Sequence, residues 1–254
     1  MSLLIGVSSS SLRHKSAREL LDSATAAGAD CIDLRAGRNQ GWEPDLDLIA
    51  AALPIAFVGV GASLGAGVPD AVAPPELMRS VIDRGIALRL FAGPLDDAAA
   101  VRGFADDVAR LRRAWGPALR LVVEPHTAAP TLAQLDEVLA EHSVGAVVDL
   151  LGLVRLGARL DEARAFLRRH AVAVQVKGIA SRDGDYRHVA LDAAPRLTAW
   201  TQALLAGVQV PITVETKAGS VAEDIRTVRR MTAAPAGALP VDLPQEVSSC
   251  VSAS

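Results

Sequence analysis

The feature that most constrains the fold of this chain is a repeated pairing of a short aliphatic run with a longer segment of helical periodicity. The pairing occurs eight times between residues 4 and 231. The aliphatic runs are continuous rather than alternating, which is typical of parallel strands covered by helices on one face and by a packed interior on the other. The predicted strands are 4–7, 31–34, 55–58, 87–91, 119–123, 144–148, 172–176 and 211–214.

A predicted helix follows each of these strands. The helices are expected at 17–27, 45–53, from 74 onwards, 96–115, 131–141, 160–170, 191–206 and 221–231. Alternating strands and helices indicate a parallel sheet, and eight units indicate an α/β fold closed into a single (β/α)8 TIM barrel over residues 1–231. A doubly wound open sheet is the main rival, but it usually has a glycine-rich turn after its first strand, where this chain has serines at 8–11.

The last segment, residues 232–254, is rich in Ala, Pro, Ser and Val and has no strong periodicity. We therefore expect a C-terminal extension outside the barrel that is poorly ordered. A second segment, 48–69, carries no charge and is long enough to span a bilayer, but Pro54, Gly59 and Gly61 interrupt any helix there. A helix end, a buried strand and a glycine-rich loop explain this segment better.

Composition excludes several classes of protein. Half of the residues are apolar, which excludes a disordered chain. Only 3% are aromatic and the formal net charge is −3, which argues against a nucleic-acid partner. Cys31 and Cys250 are too few for a disulfide framework or a zinc cluster. The first residues lack the pattern of a signal peptide, so we expect a cytoplasmic protein with no membrane partner.

Polar residues at the carboxyl ends of barrel strands are candidate site residues, because TIM-barrel active sites lie there. Glu124, Asp149 and Glu215 each end an apolar strand. Three acids at one mouth repel each other, and a divalent cation would relieve this, with the amide oxygen of Gln175 as a fourth ligand. The alternative is that each acid pairs with a basic side chain. The candidates for such pairs are Arg35, Arg89, Lys177 and Lys217.

The order of these strand ends resembles that of the xylose isomerase-like TIM barrels, the sugar isomerase/epimerase superfamily. Members place a Glu after strand five, an Asp after strand six, a His or Gln in strand seven and a Glu after strand eight, and these residues bind one divalent metal. The matching segments are 121–126, 145–150, 174–177 and 212–215, with further matches at 28–35 and 88–91. The resemblance covers about residues 1–231.

By this resemblance, Glu124, Asp149, Gln175 and Glu215 would bind a divalent ion (Mn, Mg, Co or Zn), and Glu124 and Glu215 would be the catalytic residues. The metal would polarise a carbonyl or hydroxyl group, and the two carboxylates would take and return a proton. The resemblance implies an isomerase or epimerase of carbohydrate metabolism that acts on a small polyhydroxylated or hydroxy-acid substrate.

The chain departs from the family pattern next to the predicted metal site. Members often have a His where Gly152 stands, an Asp where Gly178 stands, and a glycine-rich turn where 191–194 reads Leu-Asp-Ala-Ala. Such groups hold metal ligands in place, so their loss weakens the predicted site. An acid/base set without metal is then an alternative. It would consist of Glu124, His126, Lys177, Glu215 and Lys217.

Substrate-binding candidates surround the predicted mouth. They are Arg35, Arg89, His126, Lys177, Arg187, His188, Lys217, Trp42, Phe91 and Tyr186. A guanidinium inside the barrel favours a carboxylate or phosphate ligand. The polar segment 181–188 is typical of loops that contact substrates, and the three aromatic residues are expected to be pocket walls.

Three other functions stay open on the sequence alone. One is a dehydratase or biosynthetic isomerase that acts on a non-sugar substrate with a weak or absent metal site. Another is a ligand-binding barrel without catalysis. The third, an endonuclease of the same superfamily, would need more histidines and a basic face. The expected partner is a small-molecule substrate, and the sequence leaves its identity, the metal and a homodimer open.

Overall fold

The computed structural model describes residues 2–12, 16–37, 40–69, 71–125, 131–182 and 185–233. The strands are β1 (Ile5–Ser8), β2 (Ile32–Arg35), β3 (Ile55–Leu64), β4 (Leu88–Ala92), β5 (Leu121–Glu124), β6 (Gly145–Asp149), β7 (Ala171–Val176), β8 (Gly178–Arg182), β9 (Asp185–Val189) and β10 (Ile212–Val214). The α-helices are α1 (Ala17–Ala26), α2 (Leu46–Ala52), α3 (Pro75–Asp83), α4 (Ala98–Trp115), α5 (Leu132–His142), α6 (Leu150–Arg155), α7 (Leu160–His170), α8 (Pro195–Leu205) and α9 (Val221–Ala233).

Within these described residues, eight parallel strands close into a barrel in the order β1-β10-β7-β6-β5-β4-β3-β2. The predicted (β/α)8 TIM barrel is therefore confirmed, with β10 as its eighth strand. Closure places Thr213 of β10 between Gly6 of β1 and Gln175 of β7. Because all barrel strands run in the same direction, their carboxyl ends meet at one end of the barrel, called the mouth below.

Helix boundaries follow the residues that can cap or interrupt a helix. Asp97 accepts hydrogen bonds from the amides of Ala99 and Ala100, so α4 begins two residues later than the predicted 96. The predicted helix 191–206 instead divides into a short 3-10 turn at 191–193 and α8, which begins at Pro195. Proline lacks an amide hydrogen and suits the first turn of a helix, which explains the later start.

The predicted loop after the seventh barrel strand contains a β-hairpin. Strands β8 and β9 pair antiparallel, with Gly178 opposite Val189 and Ile179 opposite His188. A Cβ atom on Gly178 would lie 2.3 Å from the Val189 carbonyl oxygen, so the hairpin needs glycine at this position. Helix α6 is a second element that the sequence did not predict.

The core is built mainly of aliphatic side chains, with a few fully buried large rings such as Trp200, Phe57 and Phe104. No helix in the described ranges is long and apolar enough to cross a membrane. The boundary predicted at 231 falls inside α9, which continues to Ala233. Residues 234–254, for which the sequence predicts a poorly ordered extension, lie outside the described residues.

Candidate active site

A lysine and two carboxylates form an ion-pair cluster at the mouth. Asp149 ends β6, Lys177 directly follows β7, and Glu215 directly follows β10. Lys177 Nζ lies 2.6 Å from Asp149 Oδ2 and also donates a hydrogen bond to Glu215 Oε2. The Lys177 and Asp149 residues are 3% and 2% exposed, so this contact is shielded from water. Attraction between buried charges is much stronger than at the surface, and the ammonium holds the two acids together.

The second oxygen of Asp149 caps the helix that follows it. Asp149 Oδ1 accepts a hydrogen bond of 2.9 Å from the Gly152 amide at the start of α6. A Cβ atom on Gly152 would lie 2.5 Å from the Pro125 carbonyl oxygen. The close approach of these two segments leaves no space for a side chain at this position.

Glu124, at the end of β5, faces Arg89 of β4. Arg89 Nε lies 3.2 Å from Glu124 Oε2, and Arg89 Nη1 donates a hydrogen bond of 3.2 Å to the Val60 carbonyl. The guanidinium carbon lies 4.4 Å from the centre of the Phe91 ring, within the range of a cation–π contact. Phe91 therefore lies beside a predicted site residue, and Arg89 is occupied by partners within the protein.

Asp33 is the centre of a second polar network beneath the mouth. It accepts hydrogen bonds from Ser8 Oγ at 2.7 Å, Thr213 Oγ1 at 2.6 Å and Gln175 Nε2 at 3.1 Å. Ser8 Oγ lies 2.9 Å from Ser10 Oγ, which donates a hydrogen bond of 2.9 Å to Glu215 Oε1. Each serine hydroxyl has one proton and donates it to a carboxylate, so the two serines place the Asp33 network directly beside the lysine cluster.

The sequence pattern assigns no role to the serines or to the threonine of this network. The serine run at 8–11 differs from a glycine-rich turn but matches no catalytic motif, and Thr213 lies within an apolar strand. A polar residue at the end of the first strand and another inside the eighth are the signals that could have identified the network. Closure of the barrel, which makes β1 and β10 neighbours, is what brings these residues together.

The buried acids have shifted pKa values. Burial raises the pKa of Glu124 to about 7, although the positive charge of Arg89 opposes the shift. Burial likewise raises the pKa of Asp33 to about 6, against the hydrogen bonds from Thr213 and Ser8. Glu215 behaves differently, because the charge and hydrogen bond of Lys177 outweigh burial and hold its pKa at about 2.

The pKa of Lys177 is raised above its ordinary value. Burial alone would lower it, but the charges of Asp149 and Glu215 outweigh burial. Lys177 is therefore an ammonium ion throughout the physiological range. A lysine held in this state cannot act as a nucleophile, because covalent chemistry needs the neutral amine.

The donor set that the resemblance assigns to a divalent metal does not fit one in this arrangement. Asp149 and Glu215 are both paired with the Lys177 ammonium. Glu124 is paired with the Arg89 guanidinium, and the Gln175 amide nitrogen donates a hydrogen bond to Asp33. Among the residues that the structure describes, no group of three or more His, Cys, Asp or Glu side chains is arranged to hold a metal ion. The arrangement present is the salt-bridge cluster that the sequence left as the alternative.

His188, on β9, is the candidate that the hairpin brings to the mouth. Its ring is half-buried and hydrogen-bonds to the backbone of Glu215. Burial and the charge of Lys177 lower its pKa. The imidazole has one buried nitrogen, Nδ1, without a hydrogen-bond partner among the described residues.

The other predicted site residues occupy different environments. Trp42 is fully buried in the hydrophobic core, which corrects the expectation of a pocket wall, because its apolar ring packs inward. Tyr186 is half-buried, and the Arg155 guanidinium lies 5.5 Å from the centre of its ring. His126 lies outside the described residues. Three further candidates are exposed: Arg35, Arg187 and Lys217.

No family model matches this sequence, and no curated protein matches it. Solved structures are similar in fold. A xylose isomerase-like TIM barrel/4-hydroxyphenylpyruvate dioxygenase fusion protein is 13% identical, with a TM-score of 0.63 over 91% of this chain, which spans 43% of the fusion protein. The IolI protein, solved with a bound zinc atom, is 14% identical, with a TM-score of 0.61 over 98% of this chain and 100% of its own.

A third similar structure is the 3-keto-D-glucoside 4-epimerase YcjR from E. coli in its apo form. It is 11% identical, with a TM-score of 0.62 over 91% of this chain and 99% of its own. At such identities the likeness concerns the fold alone. The resemblance to xylose isomerase-like TIM barrels, inferred from the order of the strand ends, is thus confirmed at the level of the fold.

Proposed function

We propose that this protein is a sugar isomerase/epimerase-like enzyme, which transfers a proton next to a carbonyl or hydroxyl group of a small polyhydroxylated or hydroxy-acid substrate. The observation that carries the proposal is the buried carboxyl group of Glu124 at the mouth, with a pKa of about 7. A group with a pKa near the working pH exchanges protons most effectively in general acid–base catalysis. The fold shared with proteins described as epimerases supports the same reaction class.

In this proposal Glu124 is the catalytic base that removes the proton next to the carbonyl group. Isomerisation needs one such group, which takes a proton from one carbon and returns it to the neighbouring carbon. Epimerisation needs a second group on the opposite face of the substrate. His188 is the candidate for that role, because its half-buried ring hydrogen-bonds to the backbone of Glu215 and lies close to Lys177 at the mouth.

Lys177 supplies positive charge in the proposed reaction. When a proton leaves the carbon next to a carbonyl group, negative charge develops on the carbonyl oxygen, and a preorganised cation stabilises it. Lys177 is already held as an ammonium by Asp149 and Glu215. Glu215, with a pKa of about 2, stays ionised and positions Lys177, so the proposal assigns it no proton transfer.

A dehydratase or biosynthetic isomerase acting on a non-sugar substrate is the second candidate. The observation in its favour is that the acids of the predicted metal set are paired with Lys177 and Arg89, which fits a barrel adapted to chemistry without a metal. Both reactions begin with loss of a proton next to a carbonyl group. They differ in the next step, since a dehydratase then expels a hydroxyl group as water.

Deuterium exchange tests the proposal directly. The protein is incubated in D2O with L-ribulose, D-fructose or hydroxypyruvate, and the products are analysed by mass spectrometry. We expect deuterium next to the carbonyl group of at least one probe, and a loss of roughly a hundredfold or more in exchange rate for Glu124→Gln. Glu137→Gln, an exposed acid on α5, is the matched control.

Each outcome of this experiment bears on one part of the proposal. Loss of water from a probe would favour the dehydratase. Exchange that survives Glu124→Gln would remove Glu124 from its role. The absence of exchange with every probe would contradict the proposed substrate class.

A further inference from the structure

We infer that Lys177 is a built-in cation that takes the place of a divalent metal at this mouth, and that shortening its side chain converts the mouth into a divalent-cation site. The inference concerns charge and geometry. It holds whether or not the proposed proton transfer is correct, because its test measures metal binding and thermal stability rather than activity.

The first argument is the position of the ammonium. Lys177 Nζ is the point on which Asp149 Oδ2 and Glu215 Oε2 converge, from the ends of two different barrel strands. Apart from this ion pair, Asp149 Oδ2 has no hydrogen-bond partner among the described residues. The oxygen is therefore directed at a cation and at nothing else that the structure describes.

The second argument is the cost of removing that cation. Asp149 is 2% exposed, and Glu215 is partly buried. A buried carboxylate without a counter-charge is strongly destabilising, because the protein interior solvates it poorly. Loss of the Lys177 ammonium leaves two such carboxylates next to each other, and a divalent ion restores the missing charge.

The third argument is size. The Nζ to Asp149 Oδ2 distance of 2.6 Å exceeds the roughly 2.1–2.3 Å between carboxylate oxygens and small divalent ions by only a few tenths of an ångström. Replacing Lys177 by Ala removes three methylene groups and the ammonium. The space left between the two carboxylates can then hold an ion together with water molecules as further ligands.

The remaining residues of the predicted metal set do not compete for this position. Glu124 Oε2 faces Arg89, whose guanidinium is buried and also hydrogen-bonded to Val60. Gln175 Nε2 is directed at Asp33. The new site is therefore expected to depend on Asp149 and Glu215. The side chain at position 177 determines whether an ammonium group or a metal ion lies between them.

The experiment compares wild type, Lys177→Ala and Lys217→Ala after dialysis against EDTA. Lys217 is an exposed lysine two residues beyond Glu215, so its variant removes a positive charge near the mouth but leaves the ion pair intact. Binding of Mn²⁺ and Zn²⁺ is measured by calorimetry, and the melting temperature is recorded with and without each ion.

We expect Lys177→Ala to melt below wild type in EDTA, to bind one ion per chain at least about ten-fold more tightly than wild type or Lys217→Ala, and to regain stability when the ion is bound. Adding Asp149→Asn to Lys177→Ala should abolish the gained binding. Lys177→Gln provides a second neutral variant with a longer side chain should the alanine variant not fold; it is expected to bind the ions more tightly than wild type as well.

Two results would overturn the inference. One is wild type binding either ion as tightly as the Lys177 variants, which would mean that the ammonium does not take the place of a metal. The other is a folded Lys177 variant with no gain in binding, or with a gain that survives Asp149→Asn, which would mean that the two carboxylates do not form the site.

Discussion

Arg89 and Glu124 face each other inside the barrel from the neighbouring strands β4 and β5, with 3.2 Å between Arg89 Nε and Glu124 Oε2. Both side chains are almost fully buried, at 7% and 11% exposure. The guanidinium opposes the rise that burial causes in the pKa of Glu124 and so keeps that pKa near neutral. The pKa of Glu124, the proposed base, therefore depends on Arg89, which transfers no proton in the proposed reaction.

Replacing Arg89 by Met should destabilise the protein and raise the pKa of Glu124 above about 7. Breaking a buried ion pair on one side costs about 3–5 kcal/mol, because the remaining charge is left unpaired. Part of that cost is relieved when Glu124 takes up a proton. Denaturant unfolding measures the stability loss. The proton-exchange rate, which needs ionised Glu124, should reach half of its maximum at a higher pH than in wild type.

Arg84→Met is the control for this prediction. Arg84 pairs with Asp47 at 2.9 Å on the surface, where both side chains are exposed. Such pairs contribute less than about 1 kcal/mol. Equal losses of stability in the two variants would contradict the importance given to the buried pair.

Gly59→Ala should move Arg89 away from Glu124, whereas Gly61→Ala should not. Both glycines lie on β3, but a Cβ atom on Gly59 would lie 2.5 Å from Arg89 Nη2, and one on Gly61 has no atom within 4 Å. The guanidinium is buried and has little space to retreat, so we expect a loss of about 1–3 kcal/mol for Gly59→Ala. The same variant should shift the pH profile of exchange upwards, in the direction of Arg89→Met. An unchanged profile in a folded Gly59→Ala protein would count against this coupling.

The barrel, the meeting of its acids and ion pairing as the alternative to a metal could be predicted from the sequence, but which basic side chain pairs with which acid could not. Parallel strands end at the same edge, so Glu124, Asp149 and Glu215 were expected to lie close together, as the structure has them. Gln175 and Lys177 are two residues apart and so share one side of an extended chain. Which of the two approaches the acids depends on side-chain length and on Asp33, and neither is visible in the pattern of one strand.

Local steric contacts also could not be predicted from the sequence. The sequence pattern indicates Gly152 and Gly178 only as losses from a metal site. In the structure each is required where two backbone segments approach closely, Gly152 against Pro125 and Gly178 against Val189. The pairing of β8 with β9 depends on the close approach of Gly178 to Val189. A polar segment predicted as a loop therefore folds into a hairpin.

Gly152→Ala should therefore disturb the mouth through Asp149. The added Cβ would lie 2.5 Å from the Pro125 carbonyl oxygen, and backbone atoms at that distance must move. The Gly152 amide donates to Asp149 Oδ1, so this shift weakens the helix cap as well. We expect a loss of about 1–3 kcal/mol in the free energy of unfolding. Gly61→Ala, which has open space, is the control, and a Gly152→Ala protein as stable as that control would contradict the steric argument.

The last prediction concerns the dependence of stability on pH through Asp33. Burial raises the pKa of Asp33 to about 6, so between about pH 4 and pH 6 the folded protein binds a proton that the unfolded chain has already lost. Stability contributed by this group is then fully present at acid pH and falls as the pH rises through 6. Between pH 4.5 and pH 7.5 the loss is about 2 kcal/mol.

The variant Asp33→Asn has no proton to lose and should not show this loss. Its amide can still interact with Ser8 and Thr213, whose hydroxyl groups can donate or accept. Guanidinium unfolding of wild type and variant at both pH values gives the difference directly. Wild type should lose stability relative to the variant as the pH rises. If wild type instead gained stability relative to Asp33→Asn, or if the stability of the two proteins changed equally with pH, the pKa of Asp33 would not be raised. The three hydrogen bonds to Asp33 would then outweigh its burial.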